Sequence, residues 1–440
     1  MNILFIADNF PPERNAQASR VYERACYWVH WGHQLTVLTC FPNFPEGKLF
    51  PGYRNSMRKV EEMNGIRVVR VKTFIAPNVG TVLRILDYLS FMISSFLAGL
   101  FVPRPDLVVT TSPQFFAAIA GCALAAVRGL PFVLEISDLW PDSIVAVGAM
   151  KRSLPLRWLE KLELLLYRRA ARIVVLTPAF RDNLVRRGVP ADKIDVVING
   201  VDLQRYRPKP KDPAMIEEWG LGNSRFVVGY IGTHGMAHAL ENILAAAALV
   251  KDPDITFMFA GTGAMRTRLI EEAERSDLRN VRFVPAQPKE TMPTLWAICD
   301  VALVHLRNTP LFRTVIPSKL FEAMAMGLPI LLAVPDGQAS SIVESEGAGL
   351  CVPAEDPQAL ADAVQLLSEN RGLLRQLADQ STAAAPRYSR ERQARDMLSS
   401  LESVLGAGPK PSERWAGGRV GRPSPQPNVS PEQNCSTVDR

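Results

Sequence analysis

Three side chains in one short run have the types and spacing to hold a phosphorylated ligand. They are Ser318, Lys319 and Glu322, in Arg313-Thr-Val-Ile-Pro-Ser-Lys-Leu-Phe-Glu322. Pro317 stops the preceding segment and Ser318 is expected to cap a helix, which puts Lys319 and Glu322 three apart on its first turn. An ammonium, a hydroxyl and free N–H groups at a helix start suit an anion, and a carboxylate one turn on can take two hydrogen bonds from a vicinal diol. Together they fit a nucleotide, with phosphate at the cap and ribose at the carboxylate. The same spacing fits a solvated ion pair on an ordinary αβ unit.

Two further runs carry candidate chemistry. In Gly229-Tyr-Ile-Gly232-Thr-His-Gly235, which follows a strand and opens a helix, Gly232 and Gly235 let backbone approach a ligand. The amides around Thr233 and His234 are then expected to cradle a diphosphate, with Gly261 and Gly263 adding backbone contacts to base or ribose. A tight turn without a ligand is the competing reading. In Leu134-Glu135-Ile-Ser-Asp138-Leu-Trp140-Pro-Asp142, Asp138 is placed to orient or deprotonate an acceptor hydroxyl. Glu135 is placed to bind that acceptor, and Trp140 to stack on a sugar or lipid. Asp138 and Asp142 are also suited to capping the loop. No Ser-His-Asp order, H-E-x-x-H, Walker loop or metal-ligand cluster occurs, so neither a metal nor a cofactor is expected.

These runs need strands to aim them. Apolar stretches predict strands at 2–7, 34–39, 66–72, 106–111, 131–136, 172–177 and 194–198, with helices near 15–31, 114–128, 155–170 and 178–187. A second series of strands follows at 225–231, 255–260, 281–284, 300–304 and 329–333. The pattern predicts an α/β chain of two Rossmann-like doubly wound parallel-sheet domains facing across a cleft, with the ligand in that cleft. Expected boundaries are 1–202 for the first domain, 203–224 for a proline-rich hinge linker and 225–387 for the second domain. A helix at 388–405 and a disordered Pro/Gly/Ser-rich tail at 406–440 follow. The first loop has Asn15, Ala16 and Gln17 where a dinucleotide fold wants glycines, which argues against a nicotinamide or flavin site.

Composition bounds the classes. The 440 residues exceed one hydrophobic core, and 47% hydrophobic with 21% charged is ordinary for a folded chain. The cysteines at 26, 40, 122, 299, 351 and 435 show no metal spacing and read as reduced thiols. The run Met1–Ala7 reads as a strand without a secretory signal, so the chain is expected on the cytoplasmic side. Within 151–187, ten Lys/Arg stand against three Asp/Glu, a local +7 that exceeds the net +6. An anionic membrane surface suits that charge. Arg172–Arg187 suits nucleic acid by charge alone, with no support for base stacking. Uncharged Tyr88–Val102, within an apolar helix over 79–102, is too short to span a bilayer and reads as a monotopic or core helix.

The motifs resemble a known family. G-Y-I-G-T-H-G at 229–235, F-A-G-T-G at 259–263, P-S-K-L-F-E-A-M-A-M-G-L-P-I at 317–330 and G-A-G-L-C-V-P at 347–353 resemble family 4 retaining glycosyltransferases with the GT-B fold. N-F-P-P-E at 9–13, W-G-H-Q-L-T-V-L-T at 31–39 and N-G-V-D at 199–202 extend the resemblance to residues 1–400, and D-L-W-P-D-S at 138–143 is similar to the subgroup adding N-acetylated deoxysugars such as fucosamine. The resemblance implies transfer from a nucleotide-diphosphate sugar to an undecaprenyl-diphosphate-linked saccharide. It further implies retention, no metal, and a peripheral or monotopic place on the cytoplasmic face of the inner membrane, in O-antigen, capsule or colanic-acid synthesis. Glu322 matches the second of the family's two glutamates, and Thr314 stands in place of the first. The Arg and Lys that members carry at the glycine loop are absent here, and Lys319 and Arg313 are the expected replacements. Alternatives are a non-hydrolysing nucleotide-sugar 2-epimerase and a non-catalytic membrane-docked scaffold.

Overall fold

The computed structural model describes residues 1–13, 15–44, 46–76, 81–112, 114–139, 154–222 and 226–406. The described chain forms two compact units. Unit 1 comprises Met1–Leu176, Phe180–Val197 and the chain from Gln393 on; unit 2 comprises Thr177–Ala179 and Ile198–Arg392.

Unit 1 is built on strands β1 (Asn2–Ile6), β2 (Gln34–Cys40), β3 (Arg58–Met63), β4 (Ile66–Val71), β5 (Leu107–Ser112), β6 (Phe132–Ile136), β7 (Arg172–Val175) and β8 (Ile194–Val196), in the order β3-β4-β2-β1-β5-β6-β7-β8. Every neighbouring pair is parallel except β3 with β4. The central strands are apolar without alternation because helices cover both of their faces, as a doubly wound sheet requires. The helix Ala16–His30 is capped by Asn15, whose side chain accepts from the Ala18 amide. Its Val21, Ala25 and Trp28, one stripe at helical spacing, pack on Ile3, Phe5 and Val37 of the sheet and on Ala394, Met397 and Leu401 of the helix Arg390–Val404. The Trp28 indole N–H donates to the Ala394 carbonyl at 2.9 Å, so the polar tip of this buried ring is satisfied.

Unit 2 carries β9 (Phe226–Ile231), β10 (Ile255–Ala260), β11 (Val281–Val284), β12 (Val301–His305), β13 (Ile330–Ala333) and β14 (Gly349–Val352), all parallel, in the order β11-β10-β9-β12-β13-β14. One apolar layer packs Leu320, Phe321 and Met324 with Trp296 and Leu306. The opposite layer packs Leu244 and Ala247 with Leu360 and Val364. The stretch 203–224, expected as a hinge linker, is more than a tether. It contains the helix Pro213–Glu218, capped by Asp212, and it buries Tyr206 and Leu221 in the first layer with Met215, Ile216 and Trp219 packed against them. The apolar groups in this segment outweigh its prolines and charges.

Candidate functional site

Strand order in unit 2 reverses at β9, which has β10 on one side and β12 on the other. Open α/β sheets place ligands at such a switch, outside the strand C-termini. The loops after β9 and β10 meet there. A Cβ on Gly261 would lie 2.0 Å from the Gly232 carbonyl oxygen, and one on Gly263 would lie 2.4 Å from the His234 carbonyl oxygen. Only glycine permits that contact. Cross-loop bonds fix it, since the His234 amide donates to Thr262 O at 2.9 Å and the Met265 amide to His234 O at 2.9 Å.

The His234 amide is therefore engaged, as is that of Gly232, which donates to Ala260 O at 2.9 Å. This corrects the expected cradle: the amides of Thr233 and Gly235 are the ones without a hydrogen bond among the described residues. The His234 ring is fully buried among Tyr230, Phe259 and Phe283, with neither ring nitrogen hydrogen-bonded. Burial, with the Arg266 and Lys319 charges, pushes it down to about 4 and holds it neutral. His234 is thus a packing element of the loop rather than a ligand-facing side chain.

Lys319 opens the helix Lys319–Ala325. Its Nζ is buried without a hydrogen-bond acceptor among the described residues, 3.8 Å from the centre of the Tyr230 ring and 2.7 Å from where a Cβ on Gly232 would be. Burial pushes the ammonium down to about 7, opposed by the charge of Glu322. Glu322 accepts from the buried Trp296 indole N–H at 3.2 Å. Tyr230 itself is tied by its hydroxyl to Thr233 O at 2.8 Å. Lys319, Glu322, Gly232 and Gly261 are thus gathered within one unit, on residues far apart in sequence.

Several expected roles change. Ser318 occupies the N-cap position, but its backbone is already helical (φ −61°, ψ −29°) and its hydroxyl makes no cap bond. The helix has only seven residues, so its dipole is a minor source of anion affinity beside a full positive charge. The Thr314 hydroxyl turns back to Leu311 O at 2.7 Å, and its carbonyl accepts from the Thr177 hydroxyl at 2.8 Å. Arg313 ends the turn Pro310–Arg313 and is exposed, without a side-chain hydrogen bond or ion pair among the described residues. Arg266, which carried no expectation from sequence, lies beside the same glycine loops. It is the first residue of the helix Arg266–Arg275, directly after the Gly261–Gly263 loop, and its Nε donates to Gly261 O at 3.2 Å. Position after a glycine loop was the signal that could have found it.

In unit 1, Glu135 is not an acceptor-facing group. It lies fully buried within β6 and forms paired bonds of 2.8 and 2.9 Å to both Nη atoms of Arg24, with Arg20 Nε at 3.6 Å. Burial pushes this carboxyl up, but Arg24 and Arg20 outweigh it and hold the group at about 2. Asp138 follows β6 and is half-buried, whereas Trp140 and Asp142 lie outside the described residues. Among the described residues, no three His, Cys, Asp or Glu side chains are grouped as metal ligands.

Residues 15–200 match the family model described as a glycosyl transferase 4-like domain, and residues 212–384 match that of glycosyl transferases group 1. A relative from Escherichia coli K12, named as colanic acid biosynthesis glycosyl transferase WcaI, is 24% identical over 87% of this chain and 96% of its own. Among solved structures, sucrose-phosphate synthase from Thermosynechococcus elongatus aligns with a TM-score of 0.73 at 18% identity, covering 92% of this chain and all (100%) of its own. HepE of Anabaena, solved with UDP-glucose, aligns with a TM-score of 0.68 at 17% identity over 92% of this chain and 100% of its own. The two family models together take in most of the described chain, and each unit carries a predominantly parallel sheet. The chain belongs to the glycosyltransferases of the GT-B fold, with a family 4-like N-terminal domain and a group 1 C-terminal domain.

Proposed function

We propose that the chain is a metal-independent, retaining glycosyltransferase of surface-polysaccharide synthesis. In this reading it moves a sugar, an N-acetylated deoxyhexose, from a nucleoside-diphosphate sugar to a lipid-diphosphate-linked saccharide. The observation that carries the reading is the buried Lys319 amine, without a hydrogen-bond acceptor among the described residues, beside Gly232 at the switch point, with Glu322 one turn further on. Burial disfavours the charged form of such an amine, and an anion beside it restores that form. The colanic-acid name of the WcaI relative and the UDP-glucose held by HepE support this choice of pathway and donor. D-L-W-P-D-S at 138–143 supports the deoxysugar.

The glycine floor lets the diphosphate approach, Lys319 meets the charge that grows on it as the anomeric C–O bond breaks, and Glu322 takes the ribose hydroxyls. The acceptor oxygen bonds to the anomeric carbon on the same face, and its proton passes to the departing phosphate oxygen. Incubation with nucleotide sugars, with and without a lipid-diphosphate saccharide, tests the reading. Acceptor-dependent nucleotide release is expected; acceptor-independent isomer formation points to an epimerase, and no turnover points to a scaffold. Glu322→Ala is expected to weaken nucleotide binding by about 1.5–3 kcal/mol, the worth of a charged hydrogen bond, read by calorimetry.

The acceptor's lipid calls for a membrane surface. No helix of the described residues is long and apolar enough to cross a membrane. The helix Thr81–Gly99 exposes Leu83, Ile85, Leu86, Ile93 and Leu97, and the helix Leu154–Arg169 exposes Trp158 and Leu165 along with Lys161, Arg168 and Arg169. Both helices pack on the helix Phe115–Arg128, so an apolar and a cationic element share one neighbour in unit 1. We read this as a monotopic docking face for anionic lipid on the cytoplasmic side of the inner membrane. The protein is expected to float with anionic vesicles at low salt, and the Ile93→Asp, Leu97→Asp double variant to stay at the bottom of the gradient. Equal flotation of both would return this helix to a purely structural role.

A further inference from the structure

Arg266 and Lys319 come from different helices and converge on one patch of backbone. Lys319 Nζ borders Gly232, the Gly232 carbonyl borders Gly261, and Arg266 Nε bonds the Gly261 carbonyl. The two cations therefore flank a floor that only glycines can make. They differ in one respect. Arg266 is half-buried and hydrogen-bonded to the Gly261 carbonyl, whereas the Lys319 nitrogen is shut away from solvent with no acceptor for its protons among the described residues.

The groups around Lys319 do not supply the missing anion. Tyr230 presents its ring face from β9, which favours a cation but carries no charge. His234 and His238 from the following loop are both held neutral, pushed down to about 4 chiefly by burial, and His305 of β12 is likewise lowered by burial. Arg266 adds a like charge. Among the described residues the opposing charge is that of Glu322, on the same helix, and one of its oxygens is already engaged by Trp296. A buried amine in such a setting sits poised between its charged and neutral forms.

We propose that Arg266 and Lys319 are the two walls of a single diphosphate seat, and that Lys319 takes up a proton from solvent as a nucleoside diphosphate occupies it. This rests on the donor-site reading above. The seat replaces the glycine-loop cations that the chain lacks, with Arg266 as one wall and Lys319, charged as the ligand arrives, as the other. An arriving diphosphate turns the neutral amine into an ammonium with acceptors. On release the proton returns to solvent, so the emptied seat sheds part of its attraction for the product.

Calorimetry with UDP at pH 8, above the terminal phosphate's own ionisation, tests this in two buffers of different ionisation enthalpy. Lys319 is then mostly neutral in the empty seat, and uptake of about one proton per nucleotide is expected. Lys319→Arg, already charged, is expected to bind UDP with no uptake. Arg266→Gln, which keeps an N–H for Gly261, is expected to lose about tenfold or more in affinity while proton uptake persists. UDP binding without uptake in the wild type overturns the inference and leaves the donor-site reading intact. Unchanged affinity in Arg266→Gln removes Arg266 from the seat. Failure of UDP and GDP alike to bind a chain that melts cooperatively overturns both the seat and the reading beneath it.

Discussion

Glu135→Gln is expected to destabilise unit 1 by about 3–5 kcal/mol, the cost of leaving a buried charge without its partner. The amide keeps the shape of the carboxylate, so no cavity opens. What it removes is the negative charge that satisfies Arg24, whose side chain is fully buried, and that also faces Arg20. Arg24 further lies over the rings of Phe5 and Trp28, at 5.8 and 5.2 Å, so its displacement disturbs the same packing layer that seats the C-terminal helix. The sign with pH follows from the carboxyl held at about 2, below its ordinary 4.5. Its contribution, on the order of 3 kcal/mol, is fully present above the unfolded-state value and disappears as pH falls from there through about 2. Glu135→Gln should therefore flatten the acid limb of stability as well as lower it. Hydrogen exchange at β1 and β6 is the suitable readout, because a chain of two units need not unfold in one step. Full protection of β6 in the variant, with a raised acceptor KM, would instead restore Glu135 to the acceptor site.

That residue also shows where sequence reading stops. The strand 131–136 was legible as an apolar run, and a carboxylate near its end looked like a group delivered to a crevice. Its partner Arg24 is 111 positions away in the chain, and nothing local in either segment announces the pair. Central strands were legible for the same reason that β3 was not. An edge strand reading Arg-Lys-Val-Glu-Glu-Met, mostly exposed, has no buried face to impose a pattern. β14, four residues long and half-buried, is silent in the same way. Around the loops after β9 and β10, residue types and glycine spacing were legible, and the sequence pointed correctly to Lys319 and Glu322 as neighbours on one short helix. Depth was not. Burial of the Lys319 nitrogen, the enclosure of His234 by aromatic rings and the arrival of Arg266 all depend on how two loops interlock across the switch point.

Gly261→Ala is expected to abolish nucleotide binding while sparing unit 1. The added methyl would stand 2.0 Å from the Gly232 carbonyl oxygen and 2.9 Å from its carbon, both backbone atoms that no rotamer change can move. Gly261 also adopts φ +140°, a conformation that side-chain-bearing residues avoid. Overpacking of about 1–3 kcal/mol and backbone strain of about 1–3 kcal/mol together give roughly 2–6 kcal/mol, which the loop escapes only by separating from its partner. Separation moves Gly232 away from Lys319 and carries off the carbonyl that holds Arg266. Gly235→Ala is the matched control. Gly235 stands in the same motif, yet a methyl there meets only Thr233 Cγ2 at 3.5 Å and His238 Cδ2 at 3.7 Å, ordinary contact distances, so near-normal affinity is expected. Calorimetry with UDP on the two variants separates backbone interlock from mere glycine content. If Gly261→Ala binds nucleotide as well as Gly235→Ala does, the two loops do not need each other to hold the ligand, because a displaced Gly232 would then have left the anion seat undisturbed.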